Sequence, residues 1–312
     1  MNNSLETRKQ LIHNFNGPVC AVATAFDDDD GQLNTNQIVD YARHLVNIGV
    51  KGVYILGTTG ESFALTFEEK CQLINAWHEA LIQLDQEDKH LLAIVNVSAM
   101  SIKESEPLAR LVSMQLNRFN GIALLAPIFY KVDNANQLVS YIGSILNKTD
   151  GQIPFLYYHF PDRTGQQNFE LESFVEKAME CLPQFSAIKF TDTNIVRMGK
   201  IQRKFGDKIK IFAGYDETLL AARITLNIDA GICATFSLEN CVQYYLSILD
   251  SVDKGDLIRA QQNQQMLAKT CEQLQMDGNF FHSLKQRLNQ ELSSKGLQFG
   301  NARSPVWIQL KN

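Results

Sequence analysis

Eight short apolar runs recur along the chain, and no other feature narrows its folding options as far. They fall at 18–26 (PVCAVATAF), 52–57 (GVYILG), 91–97 (LLAIVNV), 121–127 (GIALLAP), 154–160 (PFLYYHF), 186–190 (SAIKF), 210–214 (KIFAG) and 230–236 (AGICATF). Most are continuous in their hydrophobicity, with no polar residue at every second position. That pattern belongs to parallel strands buried on both faces. Between them lie amphipathic stretches, among them 36–49, 66–84, 101–114 and 136–146. Thr66 followed by Glu69 fits a capping box at the start of one of these helices. Gly49 and Gly121 stand where a helix end or a strand start needs a stop.

Eight strand–helix units in succession predict an α/β chain, a (β/α)8 TIM barrel. We assign residues 15–236 to the barrel strands and helices, and 237–312 to the last barrel helix and a helical extension. Two further helices are expected near 255–275 and 277–295. No Pro/Gly-rich hinge or low-complexity linker interrupts the chain, so it reads as one domain. The N-terminal stretch is polar and lacks the apolar core of a signal peptide. No apolar run reaches the ~18 residues of a membrane span.

Composition excludes some classes of partner. The formal net charge is −5 and the pI near 5.7, which argues against nucleic acid or an anionic membrane. The 6 cysteines are scattered without a CxxC pair, which points to reduced thiols in the cytoplasm and away from a zinc site. The histidines lack metal-ligand spacing, and no metal is expected. Asp27–Asp30 reads as a solvated loop, because contiguous aspartates do not match calcium-loop spacing.

In a (β/α)8 barrel the chemistry sits at the C-terminal strand ends. Three groups there are candidates. G-T-T-G-E-S, 57–62, is either an anion cradle of backbone amides and the Thr58 and Thr59 hydroxyls, or a Gly-rich turn with threonine caps. Tyr158 is either core packing or a phenol that relays a proton. Lys189, inside I-K-F-T-D-T-N, is either an ion-pair member or a desolvated amine able to attack a carbonyl. Converging in one bowl, the three would hold a 2-oxo acid: cradle for carboxylate, lysine for ketone, phenol for the proton. His159, next to Tyr158 on a strand, points to the opposite face and reads as structural.

These residues sit in an ordered set of motifs: GTTGES (57–62), SIKES (101–105), APIFYK (126–131), YYHFPDRTG (157–165), IKFTDTN (188–194), GYDE (214–217) and G-LQFGNAR-S-P (296–305). The set resembles the N-acetylneuraminate lyase and dihydrodipicolinate synthase superfamily of class I, pyruvate-dependent aldolases, over nearly the whole chain. The resemblance implies that Lys189 forms the Schiff base, Tyr158 handles the proton, and Thr58 and Thr59 bind the pyruvyl carboxylate. It implies a small-molecule 2-oxo acid as partner, no cofactor, and a homotetramer.

The motifs lie closest to the lyases. Thr191 aligns with a sugar-contacting threonine, and Gly214, Asp216 and Glu217 with a loop that contacts the polyhydroxyl tail. Phe129 stands where synthases carry a tyrosine. Other positions point elsewhere. Arg163 resembles the synthase pattern P-x-R-T-G and would pair with a second carboxylate, or it is a solvated loop residue. Cys233–Ser237 departs from the lyase G-S-T-Y-N, and Ala234 lacks the hydroxyl of that serine. The leading expectation is retro-aldol cleavage of a sugar acid to pyruvate and an aldehyde sugar. The alternatives are condensation of pyruvate with aspartate semialdehyde, and a non-catalytic barrel that binds a 2-oxo acid.

Overall fold

A computed structural model describes residues 4–27, 31–165 and 169–303. Asp28 to Asp30 of the acidic run, and the Ser304–Pro305 end of the last motif, lie outside the described residues. Asp27 itself is exposed and accepts a hydrogen bond from Asn34 Nδ2 at 2.8 Å.

Eight strands form a closed parallel barrel in sequence order, as the periodicity predicted. They are β1 (Gly17–Ala21), β2 (Gly52–Ile55), β3 (Leu92–Asn96), β4 (Gly121–Leu125), β5 (Phe155–His159), β6 (Phe185–Phe190), β7 (Lys210–Ala213) and β8 (Ala230–Cys233). The helices are α1 (Leu5–His13), α2 (Ile38–Asn47), α3 (Phe67–Gln86), α4 (Ile102–Ser113), α5 (Ala135–Leu146), a single turn α6 (Pro161–Thr164), α7 (Leu171–Cys181), α8 (Ile195–Phe205), α9 (Leu219–Leu226), α10 (Glu239–Asp253), α11 (Leu257–Met276) and α12 (Phe280–Leu292). The strands end earlier than the apolar runs. Val22 to Phe26, for example, remain buried after β1 has ended at Ala21. Apolar sequence reports burial, and the loops at these strand ends are themselves buried.

The chain packs as two compact units, Met1–Gly17 with Ala93–Ile232, and Pro18–Leu92 with Cys233–Asn312. In the first, β4 to β7 make a continuous parallel ladder. Each side of this ladder has its own company. Tyr157, His159 and Phe190 face the helix layer, where Phe174 of α7 packs on Tyr157 at 4.4 Å between ring centroids and His159 lies 5.0 Å from Phe190. Side chains alternate along a strand, so Tyr158 and Lys189 point the other way, into the barrel. Helix α1 is a finding the polar N-terminal sequence did not announce. Ser4 caps it, Ile12 is fully buried, and Lys9 Nζ donates to Pro183 O at 3.0 Å just before β6. It therefore packs at the N-terminal ends of the strands, away from their C-terminal ends.

The β5–β6 register contains an irregularity. Phe155 pairs with Phe185, but Leu156 pairs with Ala187, so Ser186 is the extra residue. Its hydroxyl turns back to donate to Gln184 O at 2.7 Å. An uninterrupted register would have set His159 opposite Lys189; the shift sets Tyr158 there instead.

In the second unit β1 pairs with β2. Helix α3 starts at the expected capping box: Thr66 N–H donates to Glu69 Oε2 at 2.8 Å and Glu69 N–H to Thr66 Oγ1 at 3.2 Å. Gly49 follows α2 with φ +98, and a Cβ there would lie 2.9 Å from Leu246 Cδ1. Only glycine meets both demands at that stop.

Candidate active site

The first unit carries the lysine and the phenol. Tyr158 and Lys189 are register partners on adjacent strands and share one side of the sheet. Lys189 is 4% exposed, and its Nζ lies 4.3 Å from the centroid of the Tyr158 ring. A primary amine there is largely shielded from bulk water. The ring face also gives the charged form a partner. Phe160 stacks on Tyr158 at 5.5 Å, and the Arg163 guanidinium sits 5.8 Å over Phe160. Arg163 itself is exposed.

The strand ends behind this pair are tied together on the helix side. His159 Nε2 donates to Asp192 Oδ2 at 3.2 Å, and Arg197 Nη1 donates to the same oxygen at 2.6 Å. Asn194 N–H donates to Asp192 Oδ1 at 3.0 Å. Burial alone would raise the Asp192 carboxyl pKa; the bonds from His159, Asn194 and Arg197 outweigh it and bring it down to about 2. Burial lowers the His159 pKa against the pull of Asp192. Thr191 N–H donates to His159 O at 2.8 Å. The expectation that His159 points away from Tyr158 matches its place here. Asp192 and Arg197 carry structural duties that no local sequence signal announced.

Thr191 and the GYDE loop also meet in this unit. Thr191 Oγ1 is buried and has no hydrogen-bond partner among the described residues. A buried hydroxyl without a partner is costly and calls for an explanation, such as a ligand. Gly214 lies against it: a Cβ at Gly214 would fall 2.1 Å from Thr191 Oγ1 and 2.9 Å from Phe190 O. Asp216 is buried in the single 3-10 turn Asp216–Thr218, and Glu217 beside it is exposed. Tyr215 Oη donates to Asp162 Oδ2 at 2.8 Å, joining the loops after β5 and β7. Phe129 and Tyr130, after β4, are 69% and 81% exposed and pack edge-on against each other.

The second unit carries the GTTGES loop. Two non-glycine residues adopt the left-handed region here, Leu56 just before the loop at φ 59 and Glu61 within it at φ 55. Such conformations cost energy and persist where the surroundings enforce them. Thr24 Oγ1 donates to Gly60 O at 2.7 Å, and Glu61 N–H to Thr58 O at 3.0 Å. Thr59 is buried and Thr58 half-buried. Glu61 is held by Lys285 of α12, which carries no local signal in the sequence, and by the main chain at Arg303 in the 296–305 motif. In the strand-8 segment that departs from the lyase motif, Thr235 and Ser237 are buried, and Ser237 Oγ donates to Ala234 O at 2.8 Å.

Comparison with known proteins places this architecture. The dihydrodipicolinate synthetase family matches residues 14–310. N-acetylneuraminate lyase of Gallus gallus is 30% identical over 223 residues, covering 71% of this chain and 69% of that protein. N-acetylneuraminate lyase of Clostridium perfringens (strain 13 / Type A) is 28% identical over 291 residues, covering 93% of each. Among solved structures, N-acetylneuraminate lyase of Proteus mirabilis superposes with a TM-score of 0.83 at 23% identity, covering 95% of this chain and 94% of that one, a likeness of fold. With a barrel of this topology and a family match over nearly its whole length, the chain belongs to the dihydrodipicolinate synthetase family, as a carbon–carbon lyase of the N-acetylneuraminate-lyase-like, class I aldolase kind.

Proposed function

We propose that the protein cleaves a 2-oxo sugar acid such as N-acetylneuraminate through a Schiff base at Lys189, releasing pyruvate and an aldehyde sugar. The observation that carries this reading is the buried, register-paired Tyr158–Lys189 couple at the ends of β5 and β6. The Lys189 amine attacks the C2 ketone, and loss of water gives the iminium. Tyr158 relays the proton of the C4 hydroxyl, accepting it as it passes its own on, while the C3–C4 bond breaks and the electron pair of that bond flows to the iminium nitrogen to give an enamine. C3 is then protonated, and hydrolysis returns the lysine and pyruvate. Thr58 and Thr59 take the carboxylate, as the resemblance implies. Thr191, Gly214, Asp216 and Glu217 take the polyhydroxyl tail, and the unpartnered Thr191 hydroxyl supports that assignment.

Incubation with pyruvate and borohydride, followed by peptide mass spectrometry, should place a reduced pyruvyl adduct on Lys189. Absence of the adduct sinks the covalent mechanism. An adduct without pyruvate release from N-acetylneuraminate sinks the substrate.

Arg163 favours a second reading. Its exposed guanidinium over Phe160 suits a substrate with a second carboxylate, such as aspartate semialdehyde condensing with pyruvate. A coupled reductase assay on that aldehyde decides between them. We assign the protein to the cytoplasm as a homotetramer. In support of the compartment, Cys20, Cys71, Cys181, Cys233, Cys241 and Cys271 form no disulfide with one another; the tetramer is what the resemblance implies. Light scattering after gel filtration tests the tetramer.

A further inference from the structure

A buried polar contact in the second unit ties the GTTGES loop after β2 to helix α12. Glu61 and Lys285 form an ion pair at 2.9 Å in which both side chains are 1% exposed. The Glu61 carboxylate is used at both oxygens: Oε1 accepts from Lys285 Nζ, and Oε2 accepts from Arg303 N–H at 2.7 Å. Lys285 Nζ also donates to Asn301 O at 3.0 Å and sits 4.1 Å over the Phe26 ring. Arg303 in turn grips Glu69 of α3 with two parallel bonds, at 2.7 and 2.6 Å, and its guanidinium lies 4.3 Å from the centroid of the same Phe26 ring. It also donates to Ala64 O, just beyond the GTTGES loop, at 3.1 Å.

A buried ion pair is a poor way to gain stability, since desolvation cancels most of the attraction. Its worth lies in geometry. Glu61 is one of two left-handed residues flanking Gly57–Gly60, and its neighbour Gly60 is tightly packed: a Cβ there would lie 3.1 Å from Val22 O and 3.3 Å from Thr24 Oγ1. The strained turn needs something to hold it, and the carboxylate anchored at 285 and 303 is that restraint.

We propose that Glu61 and Lys285, with Arg303, are positioning residues for the carboxylate cradle: they lock Gly57–Gly60 in the conformation that presents Thr58 and Thr59 to the carboxylate of a 2-oxo acid. The inference rests on the Schiff-base reading above, in which that loop binds the carboxylate. It gives the C-terminal helix α12 a part in substrate affinity.

The test uses the full-length protein and borohydride trapping at Lys189 as a function of ketone concentration. In the wild type, pyruvate traps at Lys189; no adduct would remove the Schiff-base reading and this inference with it. In Glu61→Gln, half-saturation for pyruvate should rise on the order of tenfold, the size of one lost hydrogen-bonded contact to a charged group, while the trapping rate at saturation changes little. The decisive comparison is acetone, which has the ketone and no carboxylate: its trapping should be the same in wild type and variant. Lys285→Met should behave as Glu61→Gln does. If a single variant fails to fold, Glu61→Gln/Lys285→Met, which leaves no uncompensated buried charge, is read in its place. An unchanged pyruvate half-saturation in a folded variant, or equal losses for pyruvate and acetone, would overturn the proposal.

Discussion

Replacing Asp192 with asparagine removes one charge and leaves the shape nearly unchanged. The wild-type carboxylate collects donors from His159, Asn194 and Arg197, which together hold its pKa at about 2 against an ordinary 3.8. At about 1.4 kcal/mol per pH unit, that difference is worth about 2 kcal/mol to the folded state when Asp192 is charged. The sign follows from the lowered pKa. The contribution is complete above 3.8 and is lost as pH falls towards 2, with about half of it gone by pH 3. For a chain of 312 residues the unfolding entropy is roughly 0.65 kcal/mol/K, so Asp192→Asn should lower Tm by about 3 °C at pH 7. Melts of wild type and variant from pH 7 to pH 3 make the test. The gap should stay constant down to about pH 4 and then narrow. A gap that is absent at pH 7, or that stays unchanged to pH 3, would refute the view that the donors around this carboxylate stabilise its charged form.

Three further outcomes are expected. Gly214→Ala places a methyl group 2.1 Å from Thr191 Oγ1, so it should cost about 1–3 kcal/mol, and Thr191→Ala in the same chain should recover part of that loss; simple additivity in thermal melts would count against the contact. Tyr158→Phe should keep the borohydride adduct at Lys189 yet lose about 10²–10⁴-fold in the rate of substrate cleavage, because only the proton transfer is removed; steady-state kinetics beside mass spectrometry separates the two. Thr66→Ala breaks the capping box of α3 and should cost about 1 kcal/mol, read as a Tm lower by ~1.5 °C.

Much of this was legible from residues alone because burial on both faces leaves a plain mark. Eight continuous apolar runs predicted eight parallel strands, and G-T-T-G-E-S, Tyr158 and Lys189 stood out as polar groups at apolar ends. The sequence read burial well and pairing poorly: the runs outlast the strands because Val22 and its neighbours stay buried after the ladder stops. Helix α1 was missed because a single deeply buried apolar residue, Ile12, anchors a mostly polar segment. Glu61 was read as part of a glycine-rich turn, and its partner at position 285 is 224 residues away, beyond the reach of any local pattern.

The chemical inventory, then, was a property of the chain: a lysine, a phenol and two threonines at the ends of buried strands. Which of the polar groups on β5 and β6 lie side by side was decided in three dimensions. Tyr158 and His159 are neighbours in sequence, and either could have stood beside Lys189. The extra residue at Ser186 shifts the β5–β6 register by one, and because side chains alternate with a period of two, that single step sends the phenol to the lysine and the imidazole to Asp192. Composition and spacing carry no record of such a shift, since it arises from how two strands hydrogen-bond and not from what either strand contains.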